Sequence, residues 1–223
     1  MNNILNFIGV YNVCNSLKID KKYPIILGSS SPRRIELLKY IINDFKIIKP
    51  IVNENSILKE SIYKYKNLNF NKKSFLACSD IALEKAKNIY KNNKDFIIIS
   101  ADTIVVTEDR ILGKPKGKKD AYETLISLLG KFHYVATAIC IYINECNYDL
   151  FYSVTGVKFT EQNHFTVKYI KEYVDSEEPL DKAGSYGLQQ VVAYLVDSVH
   201  GDYYNTVGFP VVEIRRRLYE NFN

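Results

Sequence analysis

The segment Ile25-Ile26-Leu27-Gly28-Ser29-Ser30-Ser31-Pro32-Arg33-Arg34 reads as a buried strand, a small-residue turn and the start of a helix. Ile25, Ile26 and Leu27 are apolar and suit a strand. Gly28 to Ser31 make a turn rich in backbone donors. Ser31 is a good N-cap, and Pro32 fits the first helical position, where its missing N–H costs nothing. Ile35, Leu38, Ile41 and Ile42 then recur on one helical face. Arg33 and Arg34 are out of place electrostatically, because a helix N-terminus is already positive. An anion bound there would reverse the sign of that interaction, and a phosphate suits the free N–H groups, the hydroxyls and two guanidiniums. A capped helix with two solvated arginines is the plain alternative.

Working outward, the 223 residues, 47% hydrophobic and 25% charged, suffice for one large or two small domains with a full core. The net charge of +5 permits an anionic ligand, but the basic residues are scattered and do not demand nucleic acid. Cys14, Cys78, Cys140 and Cys146 lack CxxC spacing and paired histidines, which argues against a zinc site or a disulfide framework and for a reducing compartment. No apolar run approaches the ~18 residues of a membrane span. Residues 1–24 read as an extension that packs on the domain or is disordered, with 25–223 as one domain.

Along the chain, residues 45–52 read as a strand with a break at Pro50, and 55–75 as a mobile polar loop or insertion. A helix with Asp80 near its start follows. Residues 96–99 read as a buried strand ending in Ser100-Ala101-Asp102-Thr103. A hairpin-like excursion then brings Gly113-Lys114-Pro115 back towards Asp102. Residues 120–129 form an amphipathic helix, and 134–143 and 150–159 two long strands. Thr166 caps a helix, 191–196 reads as a strand, 203–207 as extended, and 211–218 as a last helix. Helices alternating with strands and hairpins indicate an α/β or α+β domain with a mixed sheet, arranged as one domain with two lobes about a cleft.

The chemistry-bearing groups are spread along the chain. Asp102 at a strand end can hold a metal or a water, or simply cap a turn. Lys114 is held between Gly113 and Pro115 as a phosphate ligand would be. Glu54 could join Asp102 on a hard divalent cation. In Asp181-Lys182-Ala183-Gly184-Ser185-Tyr186-Gly187-Leu188-Gln189, two glycines permit close backbone approach, Lys182 adds a cation, and the Gln189 carboxamide suits a base edge. His133, His164 and His200 are single and show no metal spacing, and His133 reads as structural.

Taken in order, Ser29-Ser30-Ser31-Pro32-Arg33-Arg34-Ile35-Glu36-Leu37-Leu38, Ala101-Asp102-Thr103-Ile104-Val105, Leu112-Gly113-Lys114-Pro115, the run from Glu178 to Gln189 and Gly201-Asp202-Tyr203-Tyr204-Asn205-Thr206-Val207-Gly208-Phe209-Pro210 resemble the Maf family of nucleoside triphosphate pyrophosphatases. The resemblance runs from about Ile25 to the C-terminus. It implies an α/β fold shared with inosine triphosphate pyrophosphatases, with a mixed twisted sheet, flanking helices and a cleft between two lobes. It implies a house-cleaning hydrolase, cytoplasmic, that splits the α–β phosphoanhydride with Mg²⁺ or Mn²⁺. Asp102 matches the family's proton acceptor. Arg33, Thr103 and Gln189 match positions tied to substrate choice, and Arg34, Glu54, Lys85 and Lys114 match other polar cleft residues.

On this reading the loop of Ser29, Ser30 and Ser31 with Arg33, Arg34, Lys85 and Lys114 holds the phosphates, and Lys182 is a further substrate-binding residue. Glu54 and Asp102 hold the metal, and Thr103 and Gln189 read the base. The Ala-Asp-Thr form resembles the branch acting on dTTP, UTP and modified pyrimidine nucleotides. Three departures stand out: a longer segment from Glu54 to Lys85, Gln190 where Gly is typical, and Phe209 where Leu is usual. The expected partner is the triphosphate, with no membrane, no stable nucleic acid and room for a homodimer. The alternative is a nucleotide- or nucleic-acid-binding regulator of cell division that needs no catalysis.

Overall fold

The structure, a computed structural model, describes residues 5–19 and 23–221. Residues 1–4 and 20–22, part of the stretch read as an extension, and 222–223 lie outside the described residues. Strand β4 (Ile97–Val106) runs through the middle of the sheet and is covered on both faces, so its sequence lacks the alternation of a half-exposed strand. One edge pairs antiparallel with β6 (Phe132–Asn144), which turns back into β7 (Asn147–Phe159). The other edge of β4 is shared by two short strands placed end to end. β2 (Ile25–Gly28) runs parallel to residues 97–100, and β5 (Ile111–Leu112) returns antiparallel to Val105 and Val106. Between them, the edge of residues 101–104 is paired with neither.

β3 (Lys46–Ile47) flanks β2 in parallel. β1 (Gly9–Asn15) and β8 (Val196–His200) divide the outer edge of β7 in the same end-to-end manner, both antiparallel. The order is β1-β7-β6-β4-β2-β3, with β5 on β4 and β8 on β7, a mixed eight-stranded sheet among the described residues. β1 lies within the stretch read as an extension, and just beyond it Leu17 and Ile19 are buried in the core.

Eight helices flank this sheet among the described residues: α1 (Pro32–Lys39), α2 (Glu54–Lys64), α3 (Phe70–Tyr90), α4 (Lys118–Leu128), α5 (His164–Asp175), α6 (Leu188–Leu195), α7 (Tyr203–Thr206) and α8 (Val211–Asn221). Three apolar clusters follow from the period-two alternation of the strands. Ile97, Ile99 and Ala101 of β4 pack with Leu37 and Leu38 of α1 and Ile214 and Leu218 of α8. Ile98 and Ile104 face the opposite way, onto Phe75, Cys78, Ala82, Ala86 and Ile89 of α3. Val105 returns to the first face but meets a separate cluster with Leu125 of α4, Ile170 of α5 and Val191 of α6. The first and third clusters therefore occupy opposite ends of one face, and Thr103 falls on the seam between them. This is the two-lobed α/β arrangement expected from the sequence.

Several local expectations are corrected. Residues 55–75 are not a loop: they form α2 and the first turns of α3. Asp80 therefore lies in the middle of a 21-residue helix and not near its start. In residues 45–52 only Lys46 and Ile47 are extended as a strand. Asp102 is inside β4 and not at its end, because β6 continues the ladder to Val106. Asn163, not Thr166, is the N-cap of α5; Thr166 closes the capping box from the third helical position. Residues 191–195 are helical and 203–206 form a helical turn, both read from sequence as extended.

Candidate active site

The turn after β2 leaves an open helix end. Ser31 is the N-cap of α1 and Pro32 its first residue, but the Ser31 side chain makes no capping bond. The Ser29 hydroxyl instead accepts the Ser31 N–H at 3.2 Å. The first-turn N–H groups of Arg33 and Arg34 have no acceptor within the helix, so this end suits an anion.

The two arginines differ in what holds them. Arg34 lies across the unpaired edge of β4. Its Nε donates to Gly208 O at 2.9 Å, one terminal nitrogen to Ala101 O at 2.8 Å, and the other to Thr103 Oγ1 at 2.9 Å. The guanidinium thus occupies the position a further β2 residue would take. Burial lowers its pKa, an effect the nearby Asp102 charge opposes, and it remains a cation. Arg33 makes no hydrogen bond or ion pair among the described residues.

Thr103 is similarly engaged. The Thr137 hydroxyl donates to Asn205 O at 2.9 Å, so the Thr103 hydroxyl, 3.0 Å from it, donates to Thr137 while accepting from Arg34. Gly208 closes this network at φ 97°, where an added Cβ would lie 3.2 Å from Thr103 Oγ1. Sequence reasoning overlooked Thr137 and quoted Asn205 and Gly208 only inside a motif. Their signal was the register partnership of Thr103 with Thr137.

On the opposite face of β4, Asp102 meets α3. Lys85 Nζ lies 2.7 Å from Asp102 Oδ1 and 2.7 Å from Glu54 Oε1. Lys85 is buried and Glu54, the first residue of α2, half-exposed. Burial disfavours the Lys85 ammonium, but the Asp102 and Glu54 charges outweigh it and its pKa is raised. Burial would raise the Glu54 pKa, but Lys85, then Lys114 and Arg34, bring it below the ordinary value. The Cys78 thiol, one face of α3 with Lys85, lies 3.5 Å from Asp102 Oδ2, and burial pushes its pKa well up, so it is a neutral donor. The seven-residue spacing from Cys78 to Lys85 was the signal available in the sequence.

Two carboxylates meeting at one point suit a hard divalent cation that completes its shell with water and phosphate oxygens. No group of three or more His, Cys, Asp or Glu side chains gathers among the described residues, so the protein would supply only part of such a shell.

Lys114, Lys182 and Gln189 lie towards the end of the sheet face where the third cluster sits. Lys114 is exposed, makes no hydrogen bond or ion pair among the described residues, and is near enough to act on Glu54. Its turn is tied down, because the Gly184 N–H donates to Gly113 O at 3.1 Å. Gly184 has φ 70°, and an added Cβ would lie 2.8 Å from Val105. Lys182 is buried and committed, donating to Glu178 O and to Asp181 at 2.7 Å. Gln189 is exposed in the first turn of α6, and the Tyr173 hydroxyl accepts the Gly187 N–H at 3.2 Å just before it. Ser29 is buried, Ser30 exposed. Of the four expected phosphate-holding cations, Arg33 and Lys114 are uncommitted, while Arg34 and Lys85, like the further substrate-binding candidate Lys182, are bonded to the protein itself. His133 is buried, 2.7 Å from the Tyr186 hydroxyl, and desolvation lowers its pKa to about 3; it is structural, as read from sequence.

No helix among the described residues is long and apolar enough to cross a membrane. A family model described as "Maf-like protein" matches residues 24–221. A protein of Aquifex aeolicus (strain VF5) named dTTP/UTP pyrophosphatase is 37% identical over 196 residues, covering 88% of this chain and 94% of the relative. A protein of the same name from Bacillus cereus (strain B4264) is 43% identical, covering 87% and 93%. Another, from Clostridium perfringens (strain 13 / Type A), is 36% identical, covering 89% and 97%.

Proposed function

The chain belongs to the family of Maf-like proteins, and on that premise we propose that it is a nucleoside triphosphate pyrophosphatase. Its reaction is hydrolysis of the α–β phosphoanhydride of dTTP, UTP or a modified pyrimidine nucleotide, giving the monophosphate and pyrophosphate. The observation that carries this reading is the meeting of Glu54 and Asp102 on one lysine beside the open edge of β4, with two uncommitted cations on the surrounding turns. Relatives covering nearly all of the matched chain carry the name dTTP/UTP pyrophosphatase, which supports the choice of substrate class.

The chemistry follows from charge. A triphosphate brings about four negative charges, and catalysis of phosphoryl transfer is mostly positioning and neutralisation. Arg33, Lys114 and the open end of α1 are the groups free to take phosphate oxygens. Asp102 accepts the proton of the attacking water at its carboxylate. Lys85 keeps that carboxylate ionised and oriented by holding Oδ1, and the Cys78 thiol faces Oδ2. The water oxygen bonds to the α phosphorus as the bond from that phosphorus to the bridging oxygen breaks, and pyrophosphate leaves. Mg²⁺ or Mn²⁺, held by Glu54 and Asp102, would neutralise phosphate charge. Gln189 reads the base; the Thr103 hydroxyl is satisfied within the frame and acts on selectivity through Arg34.

The test is a panel of nucleoside triphosphates assayed for pyrophosphate with and without Mg²⁺ or Mn²⁺. Release from dTTP or UTP that requires the cation is expected. Turnover of another base class with every pyrimidine inert would refute the specificity, and no release from any triphosphate would leave the non-catalytic regulator as the reading.

A further inference from the structure

Helix α2 brings Glu54 to the carboxylate site, yet apolar packing barely holds it. Of its eleven residues Ser61 alone is buried, and none of its side chains joins the three apolar clusters. A polar hub takes their place. Asp80, on α3, accepts from the Ser61 hydroxyl at 2.8 Å, from Lys64 Nζ at 3.1 Å and from the Tyr65 hydroxyl at 3.3 Å. The Asp80 side chain is 16% exposed, so these bonds are partly shielded from water. All three donors come from the C-terminal half of α2 and its cap, whereas Glu54 is at the other end. That end is held by fewer ties: the Ile51 N–H on Asn88 Oδ1 at 2.9 Å, and the contact of Glu54 with Lys85.

A rise of 1.5 Å per residue puts Glu54 about 10 Å from Ser61 and about 15 Å from Lys64 along the helix axis. Over that arm, a tilt of about 10° sweeps Glu54 through about 2–3 Å. That displacement is as long as the 2.7 Å contact it makes with Lys85. We propose that Asp80 is a positioning residue for Glu54: by gathering Ser61, Lys64 and Tyr65 it sets the tilt of α2 and so the approach of the second carboxylate to Asp102. The proposal rests on the reading above in that Glu54 takes part in the reaction.

The experiment is a double-mutant cycle in the full chain with Asp80→Ala and Glu54→Gln, measuring kcat and KM for dTTP at fixed Mg²⁺, with hydrogen exchange on each protein. Asp80→Ala is expected to lower kcat/KM about tenfold in the parent, a coupling typical of linked neighbours, and less than about twofold in the Glu54→Gln background. Amides of residues 54–65 should exchange faster and those of β4 unchanged. Asp80→Asn, which keeps an acceptor oxygen for one of the Ser61 and Tyr65 hydroxyls and offers its NH2 to the oxygen of the other, should recover most of the loss. Equal losses in both backgrounds, or unaltered exchange in 54–65, would overturn the proposal alone. A Glu54→Gln protein with parental turnover would overturn the role given to Glu54 and the proposal with it.

Discussion

Replacing Arg34 with lysine separates a frame residue from a substrate ligand. The guanidinium makes three close bonds, to Gly208 O, Ala101 O and Thr103 Oγ1, at 2.8–2.9 Å, and a longer one to Ser29 Oγ at 3.5 Å, so its close acceptors lie on β4 and on the turn after α7. An ammonium is a single point and reaches one of them well. Hydrogen bonds to charged groups contribute about 1.5–3 kcal/mol each, so losing two gives about 3–6 kcal/mol. Arg34 is half-buried and water can reach part of the site, so the low end, about 3 kcal/mol, is expected. With a urea slope of about 3 kcal/mol per M, the midpoint falls by about 1 M. Arg33→Ala is the control: it should leave stability within about 0.5 kcal/mol of the parent and raise KM for the triphosphate about tenfold, the loss of one charge-assisted bond. The assay is equilibrium urea unfolding beside steady-state kinetics. An Arg34→Lys protein with an unchanged midpoint and a raised KM would show that this guanidinium serves the substrate and not the frame.

Three further outcomes are expected. Asp102→Asn should reduce turnover at least about 100-fold, the low end for a general base; turnover within tenfold of the parent contradicts that role. His133 has its pKa lowered from 6.5 to about 3 by burial, so between those values the unfolded chain binds a proton that the native state refuses. Stability should fall as pH drops below 6.5, by at most about 1.4 kcal/mol per pH unit, and urea titrations of His133→Gln should show a shallower slope if this group is the cause. Gly184→Ala meets both a left-handed φ and the Val105 side chain; a loss of about 1–3 kcal/mol, read as a lower Tm, should accompany a raised KM because the Lys114 turn loses its tie, and a parental Tm would refute the crowding.

The strand–turn–helix around Ser31 was legible because each residue favours its own local state, and the motif order carried the rest of the cleft. What escaped was decided by partners distant in sequence. Ser100-Ala101-Asp102-Thr103 looked like a polar strand end, yet the strand continues because Ser100 bonds Ala82 O, Asp102 meets Lys85 and Thr103 meets Arg34. α2 shows weak periodicity because a carboxylate anchors it and not an apolar stripe. Val191 and Val192 favour a strand locally, but Leu188, Val191 and Leu195 share one helical face that the third cluster buries. The commitment of Arg34 to the frame, against the freedom of Arg33, could not be read from two adjacent arginines, since the backbone acceptors of Arg34 lie about 70 and 170 residues away.

The N-terminal strand has a consequence for how the chain is made. β1 pairs with β7, Gly9 opposite Val154, and its Asn12 accepts from Arg217 of α8 at 2.6 Å. Because β1 is made before β7, it waits for about 140 further residues, some 7–30 s at ordinary synthesis rates, before its partner exists. Closing so long a loop is slow and entropically costly. This edge strand, made before its partner, is thus among the last pieces to find its place, after β4, β6 and β7 have formed the surface that receives it.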